Sequence, residues 1–293
     1  MQYDISRDSR GISISEWLYV NTRLIWATQR EVEPEFLHAR YTTGNQIIAW
    51  LVKHGQITVE TGGHTAAARK GEWMFPGTGD GTQIIRPGTI ILSIRFSAEW
   101  PTGETLFDHG RATVFPAVQD RSLTRAADAL ESLVRRASRR EGFFQLEQGT
   151  VTVKSYFAIR RAFEDWLSAY VGAMLRMDNQ PSMMPKADGR VLQAARLIDD
   201  SPPDATLRES TLAHKTGLSV SQLNRLFLHD LGISPKKYME RRRLQEAVLL
   251  LQYHRKSIKE VAFELGFSSL PHFSAWFSRH QGMSPRAFQK QEI

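Results

Sequence analysis

Cysteine is absent from all 293 residues, which removes disulfide frameworks, thiolate zinc sites, iron–sulfur clusters and cysteine nucleophiles. No run approaches 18 apolar residues, so no membrane span is expected. The start, MQYDISRDSRGIS, lacks a basic-then-apolar signal pattern, and the expectation is a cytoplasmic protein with no membrane partner. His38, His54, His64 and His109 are dispersed and no His-x-His pair occurs. Metal sites in β-barrels need gathered His and carboxylate ligands, so no metal and no cofactor is expected. No nucleophile motif marks a catalytic residue either, and the chain reads as a non-enzyme.

What is present is conventional core material: 41% hydrophobic and 24% charged residues, enough for two folded domains at this length. A Pro- and Met-bearing stretch, Asp178 to Ala187, separates two differently charged segments. Residues 1–184 carry 21 Lys and Arg against 20 Asp and Glu, whereas residues 185–293 carry 17 against 11. The chain's net charge of +7 is therefore almost wholly a +6 on its last 109 residues. Concentrated positive charge is the footprint of a nucleic-acid module, because each neutralised phosphate releases counterions.

That basic segment contains a repeat. The copy from Leu212, LAHKTGLSVSQLNRLFLHDLGISPKKYM, aligns with the copy from Val261, VAFELGFSSLPHFSAWFSRHQGMSPRAFQ. Ala213 and Gly217 match Ala262 and Gly266; Leu223, Phe227, Gly232, Ser234-Pro235 and Tyr238 match Phe273, Phe277, Gly282, Ser284-Pro285 and Phe288 after one inserted residue. Each copy reads as a helix-turn-helix. Thr206 with Glu209, and Ser257 with Glu260, have the spacing of capping boxes that start the first helices. Gly217 and Gly266 suit the turn, and Ser219 with Gln222 caps the second helix of copy one. Leu223, Leu226 and Phe227, like Phe273, Trp276 and Phe277, recur at helical spacing as buried faces, so the positions between them face outward. Gly-x-Ser-Pro after each second helix stops one helix and starts another. From Pro235 to about Gln252 this launches a long helix with Tyr238, Leu244, Ala247, Val248 and Leu251 as its apolar stripe.

On these residues the segment from about Val191 to Phe288 resembles the DNA-binding domain of the AraC/XylS family of bacterial transcription regulators. The most diagnostic string is Ile258, Val261, Ala262, Gly266, Phe267, Phe273, Phe277, Gly282, Ser284, Pro285 and Phe288. The resemblance covers roughly a third of the chain. It implies promoter DNA as partner, RNA polymerase as a further partner if the protein is an activator, and two recognition helices addressing successive major grooves about 34 Å apart. By position in the family pattern, Ser221, Gln222, Asn224 and Arg225 face bases in the first helix. Arg225 suits guanine and Asn224 or Gln222 adenine, each pairing giving about 1–3 kcal/mol of discrimination. The second helix departs from the usual polar pattern, presenting Leu270, Pro271, His272, Ser274 and Ala275. Thymine-methyl contact or phosphate anchoring fits these better. Arg279, with Lys236, Lys237 and Arg286, suits phosphate. Arg241-Arg242-Arg243 on the connecting helix reads as packing or solvation.

Residues 12–100 alternate as strands do, in Ile12–Val20, Arg23–Trp26, Ile47–Val52, Gln56–Glu60, Glu72–Phe75 and Thr89–Phe96, separated by Gly- and Pro-bearing turns. A small antiparallel barrel or jelly roll is expected. Gly55 to Pro76, read as a strand, a polar turn and a second strand, resembles the cupin-like sensing domain common in the same family. Trp17, Trp26, Trp50, Trp73 and Trp100 lie in this segment, either as barrel core or lining a ligand pocket. Trp50 and Trp73, with His38, Arg40 and Arg95 as polar handles, are the candidate pocket for an anionic or aromatic effector. Two helical stretches follow. Leu123, Ala127, Leu130, Val134 and Ala137 mark one. Ile159, Phe163, Trp166, Tyr170, Ala173 and Met177 mark the other, whose near-heptad seam docks on its own barrel or pairs with a second subunit. The resemblance favours a homodimer through Ile159, Phe163, Trp166 and Tyr170.

The expected architecture is α+β and multidomain. It comprises a cupin-like β-barrel or jelly roll over 1–115, a helical dimerisation element over 116–178, a linker over 179–187 and an all-α double helix-turn-helix domain over 188–293, with units at about 206–231 and 257–281. The expected function is a sequence-specific transcription regulator responding to a small-molecule effector. A constitutive DNA-binding protein and a catalytic barrel localised by the basic domain are the alternatives from other classes.

Overall fold

The computed structural model describes residues 17–43, 45–137, 151–183, 187–202, 207–253 and 256–291. Its N-terminal part is built from nine strands: β1 (Asn21–Glu31), β2 (His38–Thr42), β3 (Ile47–His54), β4 (Gln56–Thr61), β5 (His64–Arg69), β6 (Glu72–Phe75), β7 (Asp80–Ile85), β8 (Ile90–Glu99) and β9 (Thr113–Pro116). They form two antiparallel sheets, one of order β1-β8-β3-β6-β9 and one of order β2-β7-β4-β5.

The larger sheet is covered on both faces, which is why β3 reads as a nearly unbroken apolar run, while β8 alternates apolar and polar side chains from Leu92 onward. Strand parity sorts their side chains. Ile47, Ala49 and Leu51 of β3, with Leu92, Ile94 and Phe96 of β8, pack toward the helices. Ile48, Trp50, Val52 and Ile91 face the smaller sheet, meeting Ile57, Val59, Ala68 and Ile85.

Helices α1 (Arg121–Ala137) and α2 (Val153–Arg176) close the outer face of the larger sheet. Phe163, Trp166 and Tyr170 of α2 pack edge-on against Phe96, with ring centroids 6.4, 4.6 and 5.1 Å away. Ile159, Phe163, Trp166 and Tyr170 are all buried within the chain. The seam expected to pair with a second subunit is thus occupied by the chain's own sheet and α1. Each large apolar side chain buried this way contributes about 1.5–3 kcal/mol, and docking within one chain avoids the loss of translational freedom that association costs.

Two further expectations are corrected. The span Ile12–Val20 is not a strand where it is described: residues 17–20 form a short helical turn leading into β1, and 12–16 lie outside the described residues. The stretch between β4 and β6 is not merely a polar turn, because β5 pairs with β4 from Gln56↔Arg69 to Thr61↔His64.

The C-terminal part contains α3 (Gly189–Asp199), α4 (Glu209–Lys215), α5 (Val220–Leu231), α6 (Pro235–Tyr253), α7 (Ile258–Glu264), α8 (Leu270–Gln281) and α9 (Pro285–Gln291). The repeat is visible as two cores. Leu212, Ala213, Leu223, Phe227 and Tyr238 form the first, which is continuous with α3 and the N-terminal core. Ala247, Leu250, Val261, Ala262, Phe273, Trp276 and Phe277 form the second. The 19-residue α6, about 28 Å long at 1.5 Å per residue, joins them.

Candidate nucleic-acid interface and inter-sheet cavity

Both recognition helices are fixed at both ends. Ser219 Oγ accepts from the Gln222 amide at 3.2 Å and Gln222 Oε1 accepts from the Ser219 amide at 2.9 Å, the expected capping box of α5. Ser257 and Glu260 form the same box at α7, with distances of 3.2 and 2.7 Å. Ser269 Oγ caps α8 through the His272 amide, and Pro271 sits in the first turn, where its missing N–H costs nothing. Gly232 and Gly282 end α5 and α8 in the left-handed region, at φ 70° and 78°. The box read at Thr206 and Glu209 falls in part outside the described residues, which include Glu209 but not Thr206. Arg208 is the N-cap of α4, without a side-chain cap.

On α5, Ser221, Gln222 and Arg225 are exposed while Leu223 and Phe227 are buried. Arg225 has no ion-pair or hydrogen-bond partner among the described residues, so its guanidinium is available to an external acceptor. Asn224 is half-buried and donates to Glu209 Oε2 at 3.3 Å and to the Val220 carbonyl at 3.1 Å. The Glu209 carboxylate expected at a cap therefore ties α4 to α5. On α8, Leu270, Pro271, His272, Ala275 and Arg279 are exposed and Ser274 is half-buried. The His272 ring lies edge-on to Phe267 at 5.5 Å, which holds it at the start of the helix. Two helix starts thus present outward side chains from equivalent positions of one repeat, the geometry that major-groove reading needs.

The three arginines of α6 do not belong to this surface. Arg241 donates to the carbonyls of Thr102 at 2.7 Å and Pro101 at 3.0 Å, in the turn after β8, and stacks on Tyr238. Arg242 Nε lies 2.9 Å from Asp199 Oδ1 on a path too bent for a hydrogen bond, while its Nη2 donates to the Asp199 carbonyl at 3.3 Å. Arg243 covers the Phe267 ring at 5.5 Å. Nearby, Arg23 of β1 pairs with Glu246 of α6 at 3.4 Å. Burial pushes the Glu99 and Asp199 carboxyls above their ordinary range, opposed by Asn45 at the first and chiefly by Arg242 at the second.

The second candidate site is a cavity of about 120 Å³ between the two sheets, walled by aromatic Trp26, Phe36, Tyr41 and Trp50. Ser93 Oγ accepts from the indoles of Trp26 at 2.9 Å and Trp50 at 3.2 Å. Arg95, 1% exposed, lies 5.1 Å from the Trp26 ring centre and donates to Gln46 Oε1. Three of the expected pocket residues meet here: Trp50 and Arg95 in the wall, and Arg40 at the exposed rim. Trp73 and His38 do not. Register sets Met74 opposite Trp50, so parity turns Trp73 to the other face of the sheet, where its indole donates to Thr124 of α1 at 3.0 Å. His38 is exposed at the start of β2 and takes no part in the lining. Ser93 was missed as a site residue, although it and Arg95 are the polar interruptions, two residues apart, of the apolar run Ile90–Phe96. Among the described residues, no three His, Asp or Glu side chains gather in a way that would hold a metal, and no helix is long and apolar enough to cross a membrane.

The repeated, capped units define a double helix-turn-helix domain, and residues 212–291 match the family described as "Helix-turn-helix domain". Over 108 residues the chain is 35% identical to the Arabinose operon regulatory protein of Escherichia coli (strain K12), a match covering 37% of each chain. A solved AraC-type regulator from Chromobacterium violaceum is 35% identical over 36% of this chain and 93% of that chain, with a TM-score of 0.33. Wild-type ToxT from Vibrio cholerae, solved with bound unsaturated fatty acid, is 10% identical over 92% of this chain and 96% of that one, with a TM-score of 0.46. Its C-terminal segment is thus similar to the DNA-binding domains of AraC-type transcription regulators. The chain spans little more than a third of the length of the curated relatives it matches.

Proposed function

We propose that this protein is a sequence-specific DNA-binding transcription regulator of AraC/XylS type, acting in the cytoplasm at promoter sites. The observation that carries the reading is the pair of capped recognition helices, α5 and α8, on the segment that holds almost all of the chain's excess positive charge. Arg225, with Ser221 and Gln222, reads base edges from α5. Leu270, Pro271, His272 and Ala275 give α8 a less polar surface suited to thymine methyls, with Arg279 toward phosphate. The partly buried Asn224, held by Glu209, sets the angle between α4 and α5 as well as facing the groove.

The inter-sheet cavity takes a small effector. Its aromatic wall and the buried guanidinium of Arg95 favour a planar or anionic molecule, and the volume of about 120 Å³ limits it to a few ring or chain atoms. The protein works as a homodimer through a surface other than the buried face of α2. Exposed Val153, Tyr156 and Phe157 are the apolar side chains that the same helix leaves uncovered at its start. Where it activates transcription, RNA polymerase is a further partner.

The test is binding of the full-length chain to promoter fragments at moderate salt, together with a thermal-stability screen of small carboxylates and aromatic acids. A ligand that binds only the folded state raises the melting temperature, with the logarithm of its excess over Kd. Retarded promoter DNA and a shift abolished by Arg95→Met support the reading. Absence of DNA binding with and without those compounds refutes it.

A further inference from the structure

The inner face of β8 carries a line of buried polar side chains. Ser93, Arg95, Ser97 and Glu99 occupy four successive inward positions and are each no more than 8% exposed, whereas the opposite face of the strand, Leu92, Ile94, Phe96 and Ala98, is apolar. Burying polar groups is unfavourable unless each is bonded, so a line of four calls for a role beyond packing.

The line joins two cavities. At one end Arg95 forms part of the wall between the sheets. The same residue, with Gln46, Asn45, Ser97 and Glu99, lines a crevice of about 130 Å³ between the β-domain and α6. Hydrogen bonds run along it. Arg95 Nε donates to Gln46 Oε1. The neighbouring Asn45 amide donates to Glu99 Oε2 at 3.2 Å and to the Gly103 carbonyl at 2.7 Å. The turn so held presents the Pro101 and Thr102 carbonyls to Arg241 of α6.

We infer that this line is an interdomain relay: the seating of Arg95 between the sheets sets, through Gln46, Asn45 and Glu99, the turn that docks the connecting helix by Arg241, and so fixes the DNA-binding domain against the β-domain. The docked state is built to be released. Arg241 Nε and Gln245 Oε1 are buried without a hydrogen-bond partner among the described residues, and separation hydrates both. A shift of Arg95 that moves Gln46 changes the balance between the docked and released turn. The relay stands whether or not the inter-sheet cavity takes an effector; an effector that moves Arg95 would use it.

The natural absence of cysteine makes the test direct. Spin labels on Lys70→Cys and Lys215→Cys, exposed positions on the β-domain and the DNA-binding domain, report the distance between the two in the full-length chain without any ligand. The wild type gives one narrow distribution. Arg241→Gln and Gln46→Met each raise a longer-distance population about tenfold, and Lys53→Ala, which removes only an ion pair with Asp128 of α1, does not. Asn45→Ser breaks the relay without touching the inter-sheet cavity, and gives the same release even if Gln46→Met fails to fold. Release by Arg241→Gln with neither Gln46→Met nor Asn45→Ser having an effect overturns the relay, as does an unchanged distribution in Arg241→Gln. Because no ligand enters the measurement, its failure is separate from failure of the effector reading.

Discussion

Gly103 and Arg241 meet so closely that a Cβ on Gly103 would lie 2.3 Å from Arg241 Nη1. The guanidinium fills the space that any other residue's side chain would take, and Gly103 also holds φ at +89°, a conformation that L-residues resist. Gly103→Ala therefore costs about 1–2 kcal/mol in backbone strain and pushes the flexible end of Arg241 off its two carbonyl acceptors. In a double-mutant cycle read by urea unfolding, Arg241→Ala costs less in the Gly103→Ala background than in the wild type. Equal costs in both backgrounds would contradict the contact.

Ser93→Ala deprives the Trp50 indole of its acceptor and removes one from Trp26, at 3.2 and 2.9 Å. An orphaned buried donor costs about 1–3 kcal/mol. Unfolding followed by tryptophan fluorescence should show that loss. Ser93→Thr, which keeps the hydroxyl, recovers most of it if the added methyl group is accommodated.

Burial lowers the His109 imidazole from its ordinary 6.5 to about 4, with Asp108 opposing weakly. Its Nε2 lies 2.6 Å from the Tyr170 hydroxyl, deep between the sheet and α2. The folded state thus binds a proton less readily than the unfolded chain. The stability this gives is full above about pH 6.5 and is lost as the pH falls toward 4, by about 3 kcal/mol in all. A pH series of urea midpoints on the wild type should show this decline, and His109→Gln should flatten it.

Ser219→Ala and Ser257→Ala each remove one half of a capping box. Each costs about 1 kcal/mol, and the two losses add because the caps belong to separate cores. Thermal unfolding of the two single variants and the double variant checks this, and a combined cost well below the sum would show that the cores are coupled.

The C-terminal repeat was legible because its grammar is local: caps, stops and apolar positions within a few residues of one another, as with Ser219 and Gln222. The N-terminal strands were legible where both faces are buried, as in Ile47–Val52, and missed where few apolar residues mark them. β5, His-Thr-Ala-Ala-Ala-Arg, has little β-branched or aromatic character and exists by pairing with β4. The short β2, β7 and β9 are likewise held by their partners. Pocket membership depended on parity relative to a partner strand, which the sequence around Trp73 does not carry. The heptad-like spacing in α2 specified an apolar face correctly, but not whether a sheet or a second chain would cover it. Arg241 had no local signal at all, since its acceptors lie 139 and 140 residues away.

The central claim is that α5 and α8 read DNA sequence. Selection of bound duplexes from a random-sequence pool by the full-length protein, at a fixed salt concentration, tests it most directly. The account predicts an enriched motif with two elements about one helical turn, 10–10.5 base pairs, apart. Arg225→Ala should relax preference at one position of one element by about 1–3 kcal/mol, and Ala275→Ser should change the motif less. Recovery of DNA without an enriched motif, or an equal and sequence-uniform loss in both variants, would contradict it.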